Sequence, residues 1–120
     1  IIPCKPDHQF VYWASTSYEG GLIETGVKVY TYDNGFLHSK LLMIDGEVVS
    51  VGSANMDIRS FKLSFELNAF IYDEEVTKQF EKTFLEDLSS STLITKELYA
   101  RRPTYIKFKE SVSRLLSPLL

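Results

Sequence analysis

Asp45-Gly46 stands between two apolar, partly β-branched runs, Leu41–Ile44 and Val48–Val51. An Asp-Gly pair in that setting is a strong short-range signal for a β-hairpin. It constrains the chain more than any other feature, because loop length sets the register of everything on either side. With Asp45 and Gly46 as the two loop residues, Ile44 pairs with Glu47, Lys40 lies opposite Val51, and His38 lies opposite Ser53. Opposed residues share a sheet face, and alternate residues repeat it. His38, Lys40, Ser53 and Asn55 are therefore expected on one face, and Asp45, at odd spacing from His38 and Lys40, is not.

That residue set has a chemical use. Near neutral pH an imidazole is a nucleophile or base. An ammonium two residues away holds the non-bridging oxygens of a phosphate as a point charge. A hydroxyl and an amide on the neighbouring strand complete an anion pocket. The chemistry indicated is phosphoryl transfer without a metal. The plainer reading of the same residues is a half-exposed hairpin with His and Lys on its wet face.

Around the hairpin the chain reads as one α/β (α+β) domain, a mixed β-sheet flanked by helices. Residues 1–8 are extended, since Pro3 and Pro6 exclude helix, and Asp7 caps the next segment. Phe10–Ala14 and a second segment, capped at Ser15–Ser17 and ending at Gly26, are expected as two short helices. Within the second, Gly20-Gly21 weakens the helix unless a close approach requires it. Val27–Tyr32 alternates as a strand, and Asp33-Asn34-Gly35 turns into the hairpin. Residues 55–60 are expected as a polar loop in which Asp57 and Arg59 pair with each other or line a pocket rim. Phe65–Tyr72 alternates as a strand, with Glu66 and Asn68 on the face opposite Phe65, Leu67, Ala69 and Ile71. A glutamate inside a strand either meets solvent or aims at a partner.

Asp73 caps a helix whose Val76, Phe80, Phe84 and Leu88 recur every fourth residue. Ser89–Thr92 is read as a linker, Thr95 caps a short helix through Ala100, and Pro103 restarts a helix. This last, amphipathic segment, 103–120, carries Ile106, Val112, Leu115 and Leu116 as its apolar stripe. Arg101, Arg102, Lys107, Lys109 and Arg114 stand against Glu110 alone. Such a helix lies on anionic lipid or docks on the rest of the protein, and docking is the preferred reading.

Composition argues against several function classes. A formal net charge of −3 and a pI near 5.4 give no electrostatic footprint for nucleic acid. The single Cys4 forms no internal disulfide and suits a reducing compartment. No apolar run is long enough to span a bilayer. No His/Cys/carboxylate cluster has metal-ligand spacing, so no cofactor is expected.

His38-Ser39-Lys40, four further residues and Asp45, then Gly52-Ser53-Ala54-Asn55, resemble the HKD signature of the phospholipase D superfamily. Asn55–Phe61, Glu66-Leu67-Asn68, Lys5–His8 and Ser113–Pro118 resemble bacterial cardiolipin synthases. The resemblance covers essentially the whole chain and fits the C-terminal part of such an enzyme. A fragment is therefore expected, as the start at Ile1 without a methionine also suggests.

The resemblance implies a phospholipase D-like half-domain. His38, Lys40 and Asp45 form the signature, with Asp45 itself read as a turn-former and structural anchor. Ser53 and Asn55 bind phosphate, and Glu66 orients the imidazole through its second nitrogen. His8 is read as structural or capping, a substrate-side role with Lys5 being the alternative. The implied reaction joins two phosphatidylglycerol molecules into cardiolipin and glycerol through a phosphohistidine, and leaves open whether His38 is nucleophile or general acid. Only one His-x-Lys is present, since Phe10 stands where a lysine would follow His8. A second half, in cis or from another copy, is expected to complete the site, and the fragment alone should turn over little. The implied setting is the cytoplasmic side of a bacterial cell membrane, with membrane helices elsewhere in the protein and no nucleic-acid partner. The alternatives are a dimeric single-motif phosphodiesterase or nuclease, a phosphatidylserine synthase, and a membrane-surface module with a vestigial motif.

Overall fold

Strand pairing divides the chain into two three-stranded sheets joined by a helical layer. The structure, a computed structural model, describes residues 1–5 and 8–117; the expected cap at Asp7 and the segment 118–120 lie outside these. In the first sheet β1 (Ile2–Pro3) runs parallel to β2 (Tyr30–Tyr32), which pairs antiparallel with β6 (Ser91–Leu93). The second is an antiparallel meander of β3 (Leu41–Ile44), β4 (Val48–Gly52) and β5 (Asn68–Tyr72). Ser89–Thr92, expected as a linker, thus contributes half of its residues to a strand. Ser91 and Thr92 carry no apolar pattern and are ordered by a partner nearly sixty positions upstream.

The hairpin forms where expected, with a register one residue different. Ile44 pairs with Val48, not Glu47, and Leu41 with Val51. The loop is Asp45–Glu47, with Asp45 at φ 53° and Gly46 at φ 71°. Glu47 N–H donates to Ile44 O at 3.1 Å, closing the turn inside the loop rather than starting the ladder. An Asp-Gly pair supplies the positive-φ residues of either loop length, so it identifies the turn without choosing between them.

One continuous helix, α1 (Gln9–Glu24), replaces the two short ones expected. The hydroxyls read as a second cap turn back inside the helix: Ser17 Oγ donates to Ala14 O and Thr16 Oγ1 to Trp13 O. His8 occupies the N-cap position with no side-chain cap bond. Gly20 does serve a close approach. A Cβ there would meet Cε1 of Tyr99 at 2.6 Å, and Tyr99 Oη donates to Thr16 O.

Helix α2 (Ile58–Lys62) occupies part of the expected loop, with Asp57 at its N-cap accepting from Ser60 N–H. Helix α3 (Glu74–Ser89) is capped by Asp73 as expected. Its Val76, Phe80, Phe84 and Leu88 are all half-buried, and it packs on β4 and β5 and on the first sheet. The meander face that carries fully buried Val49 shares its register with half-buried Met43 and Ile71. On the opposite face Leu42, Ile44, Phe70 and Tyr72 are exposed. Thr95 caps α4 (Lys96–Ala100).

The last helix, α5 (Thr104–Leu116), begins just after Pro103 and docks on α1. It does so on an unexpected face. The buried residues are Glu110 and Ser113, whereas Val112, Leu115 and Leu116 of the expected apolar stripe are exposed.

Candidate active site

The open end of the β3–β4 hairpin and the approach to β5 carry His38, Lys40, Ser53, Asn55 and Glu66, and leave Asp45 in the turn at the other end of β3. Lys40 precedes β3, and its carbonyl accepts from Gly52 N–H at 3.4 Å. The register sets Lys40 across from Gly52, and His38 level with Ala54 rather than Ser53. The four-residue face inferred from a two-residue loop is therefore not the one formed. His38 and Lys40 share the side of the meander that carries Leu42, Ser50 and Asn68. Ser53 and Asn55 follow the end of β4.

Each member has identifiable supports. The His38 ring is exposed and stacks on Phe36, with centroids 5.5 Å apart and planes at 16°. Lys40 Nζ donates to His38 O at 3.0 Å, folding the ammonium back toward its neighbour's backbone. Ser53 is fastened to the start of β5: its N–H donates to Leu67 O at 3.0 Å, and its Oγ accepts from Leu67 N–H at 2.9 Å. Asn55 N–H donates to Ser60 Oγ at 3.1 Å, and its side chain is exposed.

Glu66 holds this corner together. One carboxylate oxygen accepts from Ser53 Oγ at 2.5 Å and the other from Ser60 Oγ at 2.9 Å. These two hydroxyls hold its carboxyl below the usual carboxylate range, with further help from the positive charges of Lys40 and Arg59. Both oxygens thus serve serine hydroxyls, and in this structure the carboxylate is engaged there rather than with the His38 ring. Asn68 reinforces the corner, accepting from Ala54 N–H at 3.1 Å and donating to Ser50 Oγ at 3.0 Å.

Gly52 permits the approach. A Cβ on it would run into the Leu67 carbonyl and the Asn68 side chain, and would lie 2.6 Å from Asn68 Cα. Ser60, Asn68 and Gly52 were not singled out from the sequence as supports of the site. Ser60 stands three after Asp57 in a helix-capping spacing, which was the available signal.

Asp45 is not part of this corner. It sits in the hairpin turn, five residues beyond Lys40, about 16 Å along an extended strand. His8 is exposed at the start of α1. Among the described residues no three His, Cys, Asp or Glu side chains converge as metal ligands.

Residues 1–88, which hold all of these side chains, match a family model described as "Cardiolipin synthase, PLD-like domain". The chain belongs to this family. It is 59% identical over all 120 residues to cardiolipin synthase 1 of Staphylococcus epidermidis, and 60% identical to cardiolipin synthases of Listeria monocytogenes and Listeria innocua. The chain spans about a quarter of the length of these relatives, 24% of the first and 25% of the others. Within this PLD-like domain no helix among the described residues is long and apolar enough to cross a membrane.

Proposed function

We propose that this PLD-like domain supplies one half of a phosphatidyltransferase site, and that the whole enzyme converts two phosphatidylglycerol molecules into cardiolipin and glycerol. What supports the reading is the hairpin register, which sets Lys40 across from Gly52 and His38 level with Ala54, beside the Ser53–Glu66–Ser60 network whose carboxylate feels the Lys40 charge. His38 presents an exposed ring on a Phe36 platform, accessible to a phosphodiester. Lys40 offers a point charge to non-bridging oxygens. Ser53 and Asn55 border the same corner.

In the reaction an imidazole nitrogen attacks phosphorus, the P–O bond to the departing glycerol breaks, and that alkoxide takes a proton from a second histidine. The headgroup hydroxyl of the second phosphatidylglycerol then gives its proton to that histidine and attacks phosphorus, and the P–N bond breaks. Two displacements spare the site from reacting both lipids at once. His38 is one of the two histidines. The other comes from a second His-x-Lys half, in cis or from another copy, because this chain contains one such motif. Asp45 shapes the hairpin turn. A membrane surface supplies the substrate, on the cytoplasmic side of a bacterial cell.

The test compares the full-length protein with its His38→Ala variant in vesicles of phosphatidylglycerol, following cardiolipin and glycerol together. Loss of both products in a folded variant supports the reading. Unchanged output from His38→Ala, or no cardiolipin from folded wild type, sinks it.

A further inference from the structure

Helix α5 is docked by the wrong face for an ordinary surface helix. Its inward side carries two buried polar residues, Glu110 at 5% exposed and Ser113 at 1%, beside half-buried Ile106. Glu110 is held by Thr16 Oγ1 of α1 at 3.2 Å and by the guanidinium of Arg102. Its outward side is apolar. Tyr105 is 62% exposed, Phe108 70% and Leu115 82%, with Val112 between them at helical spacing. Phe10 of α1, also exposed, extends this strip across a shallow cleft that Trp13 helps to line.

Charge and ring placement select the occupant. Glu110 is the only acid on α5 and is spent on Arg102, so Lys107, Lys109 and Arg114 have no acidic counterpart along the helix. The chain as a whole is net negative, which makes this a local basic rim. Two of the cations rest over aromatic rings: Lys109 Nζ lies 4.8 Å from the Trp13 centroid and 5.6 Å from that of Tyr105, and Arg114 lies 4.6 Å from that of Tyr18. An apolar strip bordered by Trp and Tyr and rimmed by snorkelling cations has the layered polarity of a bilayer interface.

We propose that the outward face of α5, with Phe10, docks on the surface of an anionic lipid bilayer, Phe108 and Leu115 entering the headgroup–acyl boundary and Lys107, Lys109 and Arg114 meeting the anionic headgroups. This is independent of the transfer chemistry, and an inactive enzyme docks equally well.

The test places an environment-sensitive fluorophore on Leu115→Cys in the full-length protein, as the single reporter cysteine, with vesicles carrying a lipid-borne quencher. The vesicles are phosphatidylcholine with or without phosphatidylglycerol. Quenching that appears with phosphatidylglycerol is expected, while a label on Glu86→Cys of α3 stays unquenched. Changing Lys107, Lys109 and Arg114 to Gln should weaken the docked population by roughly a hundredfold, about fivefold per cation. All these positions are exposed, so the variants are expected to fold. An unquenched Leu115 label overturns the proposal, including the case where a protein surface or a second copy covers it. Equal quenching without phosphatidylglycerol overturns the anionic requirement.

Discussion

Glu66 grips Ser53 at 2.5 Å with one oxygen and Ser60 at 2.9 Å with the other, tying the end of the hairpin to α2 through a single carboxylate. The grip needs the ionised form, since only the carboxylate accepts from both hydroxyls at full strength. Replacing Glu66 with Gln should lower transfer activity by about tenfold or more, with the melting temperature little changed because the site is exposed. Because the folded carboxyl titrates below its ordinary value, the contribution of Glu66 is present above that ordinary value and is lost only as pH falls through the lowered one. Its titration should therefore leave no mark on a pH–rate profile between about 6 and 8, and profiles of wild type and Glu66→Gln should share their shape there.

Lys40 should act on rate rather than on binding. A cation that meets phosphate charge as it builds up acts mainly in the transition state. Lys40→Met should cost about 10²–10³ in kcat with little change in KM. Steady-state kinetics on phosphatidylglycerol vesicles read the split.

Gly52 should tolerate no side chain. The Leu67 carbonyl, Asn68 Cα and Asn68 Oδ1 occupy the space a Cβ would need; the first two are backbone, and the third is held by Ala54 N–H. Gly52→Ala is expected to cost about 1–3 kcal/mol in denaturant unfolding. It should also lower activity by displacing Glu66 along with Leu67.

Asp45 at φ 53° separates a turn role from a chemical one. Asn accepts left-handed backbone and Val does not. Asp45→Asn should keep activity and stability within about 0.5 kcal/mol. Asp45→Val should lose about 1–2 kcal/mol. Paired unfolding and activity measurements decide it, and inactivity of a stable Asp45→Asn variant would assign the carboxylate a direct part.

The α1–α5 seam holds a further titratable group. Glu19 is buried, and Oε1 has no hydrogen-bond partner among the described residues. Burial pushes its carboxyl up to about 7; Arg102 opposes that shift and Glu110 adds to it. A raised folded value makes the protonated form the stable one. The favourable state is complete below about 4.5 and is lost as pH rises through about 7. Glu19→Gln should therefore stabilise the protein by about 1–3 kcal/mol at pH 8, allowing for solvent screening, and by much less at pH 5. Urea unfolding of both proteins at the two pH values gives the difference directly.

The local signals were the legible ones. Asp73, Thr95 and the Val76–Leu88 stripe act where their spacing placed them, because caps and helical periodicity are decided within a few residues. The hairpin was readable to within one residue, and that residue mattered, since it exchanged Val51 for Gly52 opposite Lys40 and Ser53 for Ala54 opposite His38. Long-range pairings were not readable. Ser91–Leu93 is a strand because Tyr30–Tyr32 lies beside it, and Gly20 is explained by a tyrosine seventy-nine positions away. The polar seam of α5 was hidden for the same reason: Glu110 is buried only because Thr16 and Arg102 meet it there. Within the candidate site, the family signature pointed to His38 and Lys40 but not to Ser60, whose contribution depends on how α2 folds back.

Tyr32 and Ser91 are paired across the sheet, Asp33 N–H donates to Ser90 O, and Thr92 Oγ1 donates to Asp33 at 2.6 Å. The segment 33–90, which contains the hairpin, α2, β5 and α3, therefore leaves and rejoins the first sheet at adjacent points about 5 Å apart. A segment with such closely spaced ends is a natural cassette. Exchanging it between relatives would move the His38 corner as one piece, with junctions in backbone already stitched side by side, while the lipid-facing helix stays with the host.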